Sequence, residues 1–252
     1  MIAAYNGIGW LILFLIGLAV LQRRVHFEFQ AVFLLLTKNA DFAILLFSIT
    51  FLPGVLLHEL SHFIMAKLLR VPTGRFSILP KPLAGGRLQL GYVETLNTDI
   101  LRDALIGIAP LLAGTTTIAY IFFIQLDISS ILNTSGKVSL ELIRDIIFQM
   151  YNQPDFWLWF YLILVVSSTM FPSSSDRRSW LPLIVLSVGL IIVGVLFGAG
   201  PWFMQNIAPG LNKIFLGLSS VFGISTLVHL LLLIPLWALR SLLVQITGMK
   251  VA

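Results

Sequence analysis

Residues 40–69 read ADFAILLFSITFLPGVLLHELSHFIMAKLL. A bilayer span needs about 20 mostly apolar residues, and this run exceeds that while carrying His58, Glu59 and His62 in its second half. Histidines four apart share one face of a helix, so both imidazoles can reach one metal ion. The Glu beside the first His is placed to take a proton from an attacking water. Ionisable side chains are costly in hydrocarbon and mark functional sites there. Pro53 predicts a kink in the same helix.

The rest of the chain has the same character. Of 252 residues, 58% are hydrophobic and 11% charged, against about 25% charged in soluble domains. A water-soluble fold could not cover so much apolar surface, so the expected class is an all-α polytopic membrane protein embedded in a lipid bilayer. About six transmembrane helices are expected, at 3–21, 40–69, 101–126, 156–171, 180–200 and 213–239, forming a single membrane domain over 1–252. The first is read as a retained span, since no basic residue precedes it and it is long for a signal-peptide core. Residues 27–38 suggest an interfacial helix, and 137–150 an amphipathic surface helix. Between spans two and three, 75–79 and 87–94 flank a Pro/Gly-rich stretch, and the second alternates like a strand. A small β-hairpin or surface loop after the HExxH helix is predicted.

The net charge of +5 is ascribed to cytoplasmic loops and not to nucleic-acid binding. Under six spans, ten basic residues fall on the side of 71–99 and six on the other, which predicts both termini in the cytoplasm. The small chain suits a prokaryotic cell membrane.

With no cysteine in the chain, a metal must be held by His, Asp or Glu. A catalytic zinc takes three protein ligands, so HExxH needs one more, at similar depth on another helix. At the corresponding end of the fourth span, SSTMFPSSSD over 167–176 breaks the helix, and Asp176 is the carboxylate there.

These residues resemble the site-2 protease family of M50-type intramembrane zinc metalloproteases. HELSH at 58–62, GIAPLLAG at 107–114 and the segment from Pro172 to Asp176 look like that family's three motifs in order. The resemblance covers about 40–180, the catalytic core of spans two to four, and leaves 1–39 and 181–252 as accessory helices. It implies zinc held by His58, His62 and Asp176, with Glu59 as general base. The implied activity is hydrolysis of peptide bonds in or near transmembrane segments of membrane protein substrates. Three departures stand out. Thr169 occupies a position where the family has Asn, Arg177 follows the Asp in place of Gly, and the Pro-to-Asp spacing is one residue shorter. They keep open the alternative of a catalytically inactive relative with a structural or binding metal site. A metal transporter would need ionisable residues on several spans. The linker after span three, about 30 residues, is too short for a PDZ domain. Thr115, Thr116, Thr117, Ser167, Ser168 and Thr169 are candidates to line a polar cavity, 87–94 to hold substrate by strand addition, and His229 to pack as a hydrogen-bonded histidine without binding metal.

Overall fold

The computed structural model describes residues 6–78, 80–82, 88–96, 98–126, 144, 148 and 150–249. Helix α1 spans Gly7–Thr37 and α2 spans Ala40–Leu68. Lys38 (φ 53°) ends α1 in the left-handed conformation, its N–H bonded to the Leu34 carbonyl. Asn39 starts α2, its side chain accepting from the N–H groups of Asp41 and Phe42. Strands β1 (Thr73–Ser77) and β4 (Tyr92–Thr95) pair antiparallel with an irregularity between Thr73 and Phe76, and β2 (Lys81–Pro82) pairs with β3 (Leu88–Gln89). Helix α3 (Ile100–Tyr120) is capped by Asp99 and runs on into a π-helical turn at Ile121–Gln125. The chain continues through α4 (Phe156–Thr169), α5 (Trp180–Leu196), α6 (Gly200–Asn206) and α7 (Ala208–Thr247).

Among the described residues four helices are long and apolar enough to cross a membrane, at Gly7–Thr37, Ala40–Leu68, Ile100–Gln125 and Ala208–Thr247. The chain is thus mostly helical with a small sheet, in the manner of a multi-pass membrane protein. The expected fourth span is only 14 residues long, about 21 Å at 1.5 Å per residue. The stretch 27–38 is not a separate interfacial helix: α1 continues through it without a break. Its polar residue Glu28 is fully buried and bonded to Arg240 at 2.5 Å, which removes the reason to lie at a surface. The amphipathic stretch 137–150 falls outside the described residues except at 144, 148 and 150.

Helices α1 and α7 pack side by side and parallel. The Gly7 N–H bonds Asn212 Oδ1, the Thr226 hydroxyl bonds the Phe14 carbonyl, and Glu28 meets Arg240. The first turn of α1 and the last turn of α7 therefore lie at opposite ends of the pair. This packing is at odds with both termini lying on one face. The six-span reading placed one crossing at 180–200, which covers α5 and reaches only the first residue of α6, where the chain bends by 110°. The chain leaves α4 at the HExxH-bearing end and enters α7 from that same end, so 170–207 goes out and returns.

Candidate metal centre

Helices α2 and α4 run parallel in a fixed register. The Tyr161 hydroxyl donates to the Thr50 carbonyl at 2.8 Å. One turn on, Gly54 lies so close to α4 that a Cβ would overlap the Val165 carbonyl and Thr169 Oγ1. A further turn brings His58 to the last turn of α4, where a carbonyl has no helical partner. His58 Nδ1 sits 2.6 Å from that carbonyl, of Thr169. His62 Nδ1 sits 2.8 Å from the Ile106 carbonyl. In a helix that carbonyl would accept from residue 110, but Pro110 has no N–H to give. The proline of GIAPLLAG thus frees an acceptor for the second histidine.

Each Nδ1 faces a carbonyl, which can only accept, so each Nδ1 carries the proton. Both Nε2 lone pairs are left free and converge, 3.2 Å apart. Asp176 closes the group, with Oδ1 3.5 Å from His62 Nε2 and Oδ2 3.8 Å from His58 Nε2. The three ligand atoms lie within 4.8 Å of one another. Two nitrogens bound tetrahedrally at 2.0–2.1 Å stand about 3.3 Å apart, so the donor set fits a metal ion. Fixing each imidazole through its other nitrogen is how metal-binding histidines are oriented.

Asp176 lies outside the long helices and is held by local bonds. Its Oδ2 accepts the Ser173 N–H at 2.7 Å, and its backbone lies on Gly107, where a Cβ would overlap the Asp176 carbonyl. Gly114 admits Met170 in the same way. The small residues of 107–114 are thus the bed of the 170–176 segment. Beyond Asp176, Arg178 makes a bidentate pair with Asp103 of α3 at 2.5 and 2.8 Å, and the Ser179 hydroxyl bonds the same carboxylate. Burial by itself would raise the Asp176 carboxyl. The bonds it accepts from Ser173 oppose this and favour the ionised carboxylate. The Asp103 bond likewise holds the Arg178 guanidinium above its ordinary value.

Glu59 is 7% exposed and shares a cavity of about 920 Å³ with His58, His62 and Asp176. Gly91 roofs it: a Cβ there would stand 2.8 Å from Glu59 Cγ and 3.0 Å from both Glu59 Oε1 and the Ser77 carbonyl. The hairpin lines the cavity from Leu90 to Thr95. Arg87 and the residues before it in the turn lie outside the described residues.

The expected site residues His58, Glu59, His62 and Asp176 therefore meet in one place. The expected polar lining holds in part. Ser168 and Thr169 face the cavity, while Thr116 and Thr117 line a separate apolar groove of about 600 Å³ between α2 and α3. Thr115 lines neither of these two, and Ser167 is buried against the Ile163 carbonyl. The Thr169 hydroxyl is spent on its own helix, at 2.9 Å from the Val165 carbonyl. His229 is the buried, hydrogen-bonded histidine expected, with Nδ1 2.8 Å from the Ser225 carbonyl and Nε2 2.9 Å from Ser168 Oγ. Sequence reasoning missed Gly91, the Asp103–Arg178 clamp and His26, which also forms part of the cavity wall. No local pattern marks these residues, because each acts across helices.

No protein-family model, curated protein or solved structure matches this chain.

Proposed function

We propose that this chain is an intramembrane zinc metalloprotease of the site-2 protease type, cutting peptide bonds in or near transmembrane segments of other membrane proteins. The observation that carries the reading is the pair of Nδ1–carbonyl bonds to Thr169 and Ile106, which turn both Nε2 atoms toward the Asp176 carboxylate. His58, His62 and Asp176 would hold the zinc and leave a position open for reactants. A bound zinc supplies Lewis acidity, polarising the scissile carbonyl and lowering the pKa of water toward ~7. Glu59, walled off from bulk solvent under Gly91, takes the proton of the attacking water and passes it to the leaving amine. The hairpin edge beside it accepts substrate in extended form by strand addition. The site-bearing end carries Lys67, Arg70, Arg75, Arg102, Arg177 and Arg178, which argues for a cytoplasmic orientation of that end, with the N-terminus on the same side. The cell membrane would be a prokaryotic one.

A second reading, a non-proteolytic relative using its metal for structure or binding, is favoured by one observation. The Thr169 hydroxyl, at the position where the family's Asn contacts substrate, is bonded to Val165. The test is purification of the parent and Glu59→Gln proteins, metal analysis of both, and cleavage assays on a panel of tagged single-span membrane proteins. Zinc in both and cleavage by the parent alone is the expected result. Zinc in both and cleavage by neither supports the second reading.

A further inference from the structure

Two arginines line the cavity that holds the metal ligands, Arg75 and Arg178. Arg178 is engaged in its bidentate pair with Asp103. Arg75 is exposed and makes no ion pair among the described residues. Its place in the sheet is set by a bulge. Thr73 pairs with Thr95 and Phe76 with Val93, so Gly74 and Arg75 together stand opposite Glu94 alone. Bulges recur next to active sites, where they re-aim a side chain. The Glu94 carboxylate is drawn onto the bulged backbone, where Oε2 accepts the Arg75 N–H at 3.2 Å. The Arg75 guanidinium is thus a cation at the cavity without a counter-charge, and its planar fork matches a carboxylate.

The position of Arg75 defines where that carboxylate lies. The Ser77 carbonyl is level with Glu59, since a Cβ on Gly91 would stand 3.0 Å from both that carbonyl and Glu59 Oε1. Arg75 is two residues from Ser77 on β1, about 7 Å of extended chain, in the direction of Arg70 and the end of α2. A peptide lying along the hairpin with its scissile bond beside Glu59 therefore passes Arg75 two to three residues from that bond. This is the part of the peptide that leaves the site toward the charged end of α2, so an acidic side chain there avoids the cost of entering hydrocarbon. Glu59 and Asp176 would repel such a side chain, and Arg75 supplies the opposite charge.

We propose that Arg75 is a specificity-determining residue: its guanidinium pairs with an Asp or Glu side chain of the substrate, two to three residues from the scissile bond. The inference rests on the protease reading above. It narrows the substrates from apolar spans in general to spans that carry a carboxylate beside the cut, on the side of the metal centre.

The test separates this contact from the metal site. The probes are pentapeptides of Ala and Leu that carry a hydroxamate at the C-terminus or, through a succinyl spacer, at the N-terminus. They anchor on zinc and extend along the cavity in either direction. Each is made with Glu or with Gln at the second or third residue from the anchor, a pair that differs in charge and hardly in shape. Acetohydroxamate anchors on zinc and extends nowhere. Binding to the zinc-loaded parent, Arg75→Gln, Arg75→Lys and Glu94→Gln proteins is measured by calorimetry in nonionic detergent, which keeps lipid phosphates out of the comparison. The expected result is that the parent binds at least one Glu peptide about three- to five-fold more tightly than its Gln twin, as for a solvent-exposed ion pair. Arg75→Gln abolishes that preference by weakening the Glu form alone, and Arg75→Lys keeps part of it. Glu94→Gln, which removes a competing carboxylate, increases it. Acetohydroxamate and zinc affinities stay level throughout. Equal binding of Glu and Gln peptides by the parent overturns the role of Arg75 and leaves the protease reading standing, as does a preference that survives Arg75→Gln or equal weakening of both forms. A zinc-loaded parent that binds acetohydroxamate and none of the peptides overturns the protease reading along with it.

Discussion

Gly107→Ala tests whether tertiary packing, and not the HExxH helix alone, builds the third ligand. The new Cβ would overlap the Asp176 carbonyl oxygen and stand 2.9 Å from its carbonyl carbon. Carbon atoms rest at about 3.5–4.0 Å and the overlapping oxygen has further to move than the carbon, so the 173–176 segment must retreat by about 1 Å or more. Metal sites hold their ligand distances within about 0.2 Å, and the Asp176 carboxylate moves with its backbone. The expected consequence is a 10–100-fold loss of zinc affinity, the range for disturbed support of a ligand, or about 1.4–2.8 kcal/mol. Competition with a chromophoric chelator in detergent measures it. Gly189→Ala on α5, with no atom near its Cβ, is the control and should match the parent. Asp176→Ala sets the value for complete loss of the ligand. Parent-like zinc affinity in Gly107→Ala would refute the reasoning, because Asp176 would then be either mobile enough to ignore the clash or not a ligand.

Other expectations follow from the same packing. Asp103→Ala frees Arg178 and Ser179 from α3. Because Arg178 is half-exposed, the cost is that of a surface pair, about 0.5–1 kcal/mol, read as a two- to five-fold weaker zinc affinity in the same competition assay. Glu28→Ala leaves Arg240, only 17% exposed, without its 2.5 Å partner. Removing one member of a buried pair costs about 3–5 kcal/mol, so thermal unfolding should fall while zinc affinity in the folded protein is kept. The chain has no native cysteine, so Asn6→Cys and Thr247→Cys each give a unique label. An impermeant maleimide applied to one side of sealed vesicles should modify only one of the two, and modification of both from the same side contradicts the parallel packing of α1 and α7.

The HExxH site was legible in the chain to the extent that its chemistry is local. Helical spacing alone puts His58 and His62 on one face with Glu59 beside them. The carboxylate at the end of the fourth helix was found because a third ligand was required. Composition alone made the protein a membrane protein, since no arrangement of so few charged residues can coat it with water. The hairpin was read from alternation, although its turn falls outside the described residues.

What the tertiary structure decided depends on which helices are neighbours. Only the packing of α3 on α2 turns Pro110 from a helix kink into the source of a free carbonyl for His62. Only the parallel register of α2 and α4 brings the Thr169 carbonyl to His58. The termini expectation rests on a hydropathy count that treats each apolar run as one crossing, whereas the parallel packing of α1 and α7 and the 110° bend between α5 and α6 appear only in three dimensions. A sequence records each residue's capacity to bond. Hydrogen bonds act over about 3 Å, so the partner that uses that capacity is chosen by contact between helices far apart in the chain.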